Sequence, residues 1–226
     1  MGHIILSGEG DGKQTKKLDE FFVSLLPKAK NVLYIPIAMP QELHTYKECL
    51  VWFRSTMKAL GVHDITMATN LEDMEYHQLK DYAAVYIGGG NTFYLWKKVK
   101  EAQFDKKLDR YIKDGGVVYG GSAGAIIIGK DIGTAKFGGD ADKNKVRLRN
   151  FRSMDLARGL SIQCHYTKAD EKQILEYVKK NGMDVVSLPK ETGLHIHKNK
   201  IRVIGTKPAY LFGATSKKKI AVNASF

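Results

Sequence analysis

Short unbroken apolar runs alternate along the chain with longer segments in which apolar positions recur every three or four residues. Ile4–Leu6, Val32–Ile37, Ala83–Ile87, Val117–Tyr119 and Val185–Leu188 make up the first set. Such runs suit strands buried on both faces of a parallel sheet. Leu18, Phe21, Phe22 and Leu25 repeat at helical spacing up to Pro27. Leu43, Tyr46, Leu50, Phe53, Met57 and Leu60 form one stripe, closed by Gly61. Further helices are expected from about Thr92 to Ala102, from Phe104 to Asp114 and from Asp170 to Lys180. The last segments, Ile201–Ile204, Tyr210–Phe212 and Ile220–Val222, are short with tight connections and read as antiparallel additions at a sheet edge. The pattern predicts the α/β class: a mostly parallel sheet flanked by helices on both faces, with antiparallel additions near the C-terminus. No repeat or linker-like tract interrupts it, so residues 1–226 are read as a single domain.

Composition narrows the setting. With 43% hydrophobic and 27% charged residues the chain has the apolar content a folded core needs. No apolar run approaches the roughly eighteen residues of a membrane span, so no membrane partner is expected. Met1–Leu6 reads as a buried strand rather than a signal peptide. Leu6 sits where a myristoylation motif after Gly2 wants Ser or Thr. Two cysteines, Cys49 and Cys164, make no disulfide framework, and a cytoplasmic setting is expected. The net charge of +12 comes from scattered lysines without a nucleic-acid-reading motif. It reads as a solvated surface, so no nucleic acid is expected, although the field would favour acidic small molecules. Any self-association is expected to be a homodimer.

The chemistry concentrates at Gly120-Gly121-Ser122-Ala123-Gly124, a G-x-S-x-G run between an apolar strand and Ile126–Ile128. A nucleophile on such a strand-to-helix turn sits in strained backbone, and its neighbours two residues away must be small. The turn would present the Ser122 hydroxyl above the sheet and aim the Ala123 N–H at the same point. A second cluster, Gly88-Gly89-Gly90-Asn91-Thr92, follows the strand Ala83–Ile87. In a parallel sheet both clusters gather at the carboxyl edge, where ligands bind. Gly90 could supply a second oxyanion donor. Gly89, Asn91 and Thr92 are candidates for substrate contacts, with helix capping the alternative role for Asn91 or Thr92.

Of seven histidines, His165 ends the plausible strand Leu160–Cys164 and is the candidate base. Cys164 points the other way and reads as buried core. His195 and His197 alternate with Leu194 and Ile196 and are expected to face solvent. Gly8-Glu9-Gly10-Asp11-Gly12-Lys13-Gln14 is one residue short of a P-loop and lacks its Ser or Thr, so it reads as a loop bordering the cleft. No His, Cys or carboxylate spacing suggests a metal, and no cofactor is expected.

Together these residues resemble the dipeptidase E and cyanophycinase family of serine peptidases. The likeness lies in Val85–Thr92, Gly120–Ala125, His165-Tyr166 and Glu191-Thr192-Gly193-Leu194, with Gly205 and Leu211-Phe212 beyond. It implies a fold related to class I glutamine amidotransferases with serine at the elbow. It also implies Ser122 as nucleophile, His165 as base, Gly90 and Ala123 as the oxyanion hole, and Asn91 in contact with substrate. Members cleave small peptides, some with an N-terminal aspartate and others with aspartyl side-chain linkages, so short peptides are the implied substrates, with a preference for an acidic N-terminal residue. The family's acidic triad position aligns near Gly133, which cannot serve. Asp140 or Asp142, ahead of Asp131, are then the candidates to orient His165 from the Gly138-Gly139 loop. Two other readings remain open here: an esterase of the α/β-hydrolase class, and a decayed peptidase that only binds a small ligand.

Overall fold

The computed structural model describes residues 1–27 and 31–226. The large sheet holds β1 (His3–Ser7), β2 (Asn31–Ile35), β3 (Asp64–Met67), β4 (Ala84–Ile87), β5 (Val117–Gly121), β8 (Thr192–His197) and β9 (Lys200–Gly205). Its order is β3-β2-β4-β5-β1-β8-β9. The first five of these are mutually parallel, and β8 and β9 continue the edge antiparallel. A smaller sheet is formed by β6 (Ser161–Cys164), β7 (Val185–Leu188), β10 (Ala209–Gly213) and β11 (Ser216–Ile220), in the order β11-β10-β7-β6.

The unbroken apolar runs do what burial on both faces requires. Ile4, Leu6, Leu33, Ile35, Val85, Ile87 and Val118 face one core. It is covered by α4 (Thr92–Glu101), α5 (Phe104–Lys113) and α6 (Ala123–Ile128). Their alternate neighbours Ile5, Val32, Tyr34, Tyr86 and Tyr119 face another, covered by α1 (Gly12–Ser24) and α2 (Tyr46–Lys58). That second core is aromatic: Tyr34 stacks on Phe53 with centroids 4.1 Å apart, and Tyr86 on Tyr119 at 4.3 Å. A single turn, α3 (Tyr76–Leu79), precedes β4, and α7 (Glu171–Asn181) covers the small sheet through Ile174 and Val178.

Helix starts follow capping chemistry. Asp11 accepts from the N–H groups of Lys13 and Gln14 while Gln14 reaches back, so the glycine-rich segment opens α1. Thr45 and Glu48 cap α2 in the same way.

Four expectations need correction. The stripe from Leu43 begins too early: α2 starts at Tyr46, and Leu43 is 68% exposed. The closing strand is Ser216–Ile220, so Ala221 and Val222 lie beyond it. The antiparallel additions are divided, β8 and β9 on the large sheet and β10 and β11 on the small one. His195 and His197 do not simply face solvent. They stack with His3, whose ring lies 4.0 Å from His197, and His3 Nδ1 is 2.8 Å from His195 Nε2. Burial, reinforced by the neighbouring cations, holds His195 down to about 4. This cluster sits at the start of β1, the end of the sheet away from Ser122.

Candidate active site

Strand β5 runs into α6 through Ser122, whose φ of 42° and ψ of −105° place it outside the regions a serine normally occupies. The small neighbours are required by space. A Cβ on Gly124 would lie 2.4 Å from the carbonyl oxygen of Ile87. The Ala123 N–H belongs to the first turn of α6, where no helical acceptor exists.

Ser122 lines a cleft of about 380 Å³ with Glu9, Gly90, Asn91, Asp140 and His165. Three residues of this wall, Glu9, Ser122 and His165, hold left-handed backbone with φ of 53°, 42° and 58°. Strained backbone of this kind gathers where a side chain must be aimed against local preference. Although β6 belongs to the small sheet, its carboxyl end meets the elbow: Cys164 Sγ is 3.7 Å from the Ser122 carbonyl oxygen. Cys164 is buried, as expected, and burial pushes its thiol well above the ordinary value, the opposite of a nucleophile's need.

His165 Nδ1 lies 2.8 Å from Asp140 Oδ2, and the pair lowers the Asp140 carboxyl. His165 Nε2 is buried and makes no hydrogen bond to a described residue. The loop after α6 is brought back over the cleft by specific bonds. The Thr92 N–H donates to Asp142 Oδ2 at 2.8 Å, and Asn91 Nδ2 donates to the Lys143 carbonyl at 3.0 Å. Asp142 therefore holds the start of α4 instead of His165, and burial raises its carboxyl despite that bond. Asp131 accepts from Gly133 N–H and Tyr177 Oη, each at 2.7 Å, and Gly133 sits beside that pair.

The second glycine cluster divides its duties. Gly90 faces the cleft with φ of 134°, and a Cβ there would meet Ala38 O at 2.2 Å. Gly90→Ala is therefore expected to cost roughly 2 kcal/mol or more of stability, read as a lower denaturant midpoint. Asn91 lines the cleft, but its side-chain oxygen caps α4 by accepting from Tyr94 N–H at 2.9 Å. Thr92 is fully buried at the start of α4, where its N–H donates to Asp142, and it is not among the residues lining this cleft. Gly89 lines a neighbouring cavity instead.

Sequence reasoning missed Glu9 and His44, both in the cleft wall. The available signal for Glu9 was a charged residue two positions after β1, at the carboxyl edge. Burial pushes its carboxyl up to about 7, the Gly89 N–H opposing and Asp19 adding to the rise. A carboxyl raised from 4.5 to about 7 on folding contributes stability below 4.5 that is lost as pH climbs through 7. Glu9→Gln removes that loss. The variant should gain on the native protein between pH 4.5 and 7, by about 3 kcal/mol at most, in parallel melts at pH 4.5 and 8.

Residues 4–204 match the peptidase family S51. The chain belongs to that family. It is 28% identical over 193 residues to the Peptidase E of Nostoc sp., covering 81% of this chain and 76% of the relative. It is 24% identical over 209 residues to a Drosophila melanogaster protein named as a probable alpha-aspartyl dipeptidase, covering 88% and 81%. The crystal structure of a peptidase from an acI-B1 Actinobacterium superposes with a TM-score of 0.76 at 18% identity, covering 100% of this chain and 96% of that one. A candidate Peptidase E protein from Listeria monocytogenes does so with 0.71 at 21% identity, covering 92% and 100%. Those superpositions carry the fold, and S51 membership makes the chain a peptidase.

Proposed function

We propose that this S51 peptidase hydrolyses short peptides by a serine mechanism in which Ser122 attacks, His165 carries the proton and Asp140 orients His165. The observation that carries this reading is the contact of His165 Nδ1 with Asp140 at 2.8 Å while its Nε2 stays unpaired in the cleft wall shared with Ser122. Nε2 takes the hydroxyl proton as Ser122 Oγ adds to the peptide carbonyl. Negative charge then develops on the carbonyl oxygen, between the N–H groups of Gly90 and Ala123. The imidazolium returns its proton to the departing amine, and water releases the acyl group by the same steps in reverse. Asp140 fixes the ring and offsets its transient charge.

The acidic N-terminal preference has weaker support. It rests on the name of the Drosophila relative and on a net charge of +12. Among the described residues lining the cleft there is no lysine or arginine to receive an acidic side chain. The esterase and binding-module readings are opposed by S51 membership.

Dipeptide and p-nitrophenyl ester turnover, measured side by side, tests the reading. Peptides should be cleaved, and ester turnover alone would contradict it. No step uses a metal, so activity should survive EDTA unchanged; loss restored by zinc or magnesium would contradict the mechanism.

A further inference from the structure

A second cavity, of about 280 Å³, shares Glu9, Met39 and His44 with the cleft and continues between Tyr34, Cys49 and Trp52. Glu9, Met39 and His44 thus form the wall between the two spaces. Glu9 Oε2 lies 1.9 Å from the position a Cβ on Gly89 would take, and its Oε1 3.0 Å from that of Gly121. The carboxylate therefore rests against the residue before Gly90 and the residue before Ser122. No side chain among the described residues forms an ion pair with it. A half-buried carboxylate held by left-handed backbone beside the Gly89 N–H, with no counter-ion, is costly, and it is retained where something else completes it.

Resting on the reading of Ser122 as nucleophile, we propose that Glu9 anchors the free α-ammonium group of the substrate's N-terminal residue, and that the cavity behind it takes that residue's side chain when aromatic, aliphatic or basic and not when acidic. In a dipeptide the α-nitrogen is one carbon away from the scissile carbonyl. A carbonyl seated between Gly90, Ala123 and Ser122 puts that nitrogen beside Gly89 and Gly121, where the carboxylate waits. The bound ammonium supplies the missing counter-charge and holds Glu9 ionised. Beyond Glu9, the aromatic residues Tyr34 and Trp52 in the lining suit apolar or cationic groups. An acidic side chain would meet Glu9 and Glu48 with no lysine or arginine in the cavity lining. The cations near the cleft stand outside it: Lys190, which helps lower Asp140, and Lys145, which pairs with Glu42 at 3.8 Å.

The test reads binding, so it is separate from the nucleophile assignment. Phe-Leu, Lys-Leu, Asp-Leu and N-acetyl-Phe-Leu are titrated calorimetrically into the full-length Ser122→Ala protein, with and without Glu9→Gln. Phe-Leu and Lys-Leu should bind about tenfold or more tightly than the other two. Adding Glu9→Gln should erase that advantage and leave the acetylated peptide's affinity unchanged. Glu9→Asp, which keeps the charge but draws it back, should fall between. Melting curves establish that each variant is folded, and Glu9→Asp carries the test if Glu9→Gln is not. Asp-Leu binding as tightly as Phe-Leu would overturn the proposal and assign recognition to the rim lysines. Equal weakening of all four peptides, or no binding by any, would also overturn it. Failure of the serine reading has a different signature, unchanged dipeptide turnover in Ser122→Ala.

Discussion

Ser122→Ala should lower kcat for dipeptide hydrolysis by about a thousandfold or more while leaving the melting temperature nearly unchanged. The two halves of this expectation have separate causes. The hydroxyl is the atom that forms the covalent bond, and no neighbour can replace it. Cys164, the nearest other nucleophile, is buried with its thiol pushed well above the ordinary range. Stability is spared because the Ser122 side chain caps nothing and its left-handed backbone strains alanine as much as serine. The loss should therefore appear in kcat and not as a smaller folded fraction. A mutant retaining most of its activity would move the chemistry elsewhere.

Asp140→Asn is the second large expectation, a fall in kcat on the order of a hundredfold to ten-thousandfold with the fold intact. An amide can hold the wrong imidazole tautomer and cannot offset the imidazolium that forms during attack. The lower end of the range is favoured because the Asp140 side chain is 63% exposed and solvent screens it. Asp142→Asn supplies the contrast. Its amide oxygen can still accept from Thr92 N–H at the start of α4, and the change removes a charge that burial disfavours, so stability should move by less than about 1 kcal/mol with a far smaller kinetic effect. Steady-state kinetics and melts on both variants check the pair, and equal kinetic losses would contradict the assignment.

What could be read from the sequence divides according to how local its cause is. The elbow was legible because strand, small neighbours and helix all lie within the twelve residues Val117–Ile128, and Gly124 is fixed by a carbonyl one strand away. The position of His165 followed from the end of β6. Which acid faces it did not, because that depends on where the loop is tied, by Asn91 to Lys143 and by Asp142 to Thr92. Those contacts span about fifty residues, and the spacing of Asp140 and Asp142 carries no trace of them. The split into two sheets was hidden for a similar reason. An apolar run announces a strand but not its partner, so Val185–Leu188 gave no sign of pairing with β6 and β10 instead of the large sheet. The segment carrying Glu9 was legible as a loop bordering the cleft, but which of its residues enters the wall was not, because that depends on the left-handed backbone at Glu9.

The central claim, a covalent serine mechanism at the elbow, is tested most directly by trapping the intermediate. The enzyme is mixed with one equivalent of phenylalanine p-nitrophenyl ester, quenched in acid within the burst and digested for peptide mass mapping. The account predicts a phenylalanyl adduct in the segment between Lys113 and Lys130, assigned by fragmentation to Ser122 and absent from Ser122→Ala. Turnover with no adduct, or an adduct on Cys164 or any other residue, would contradict it.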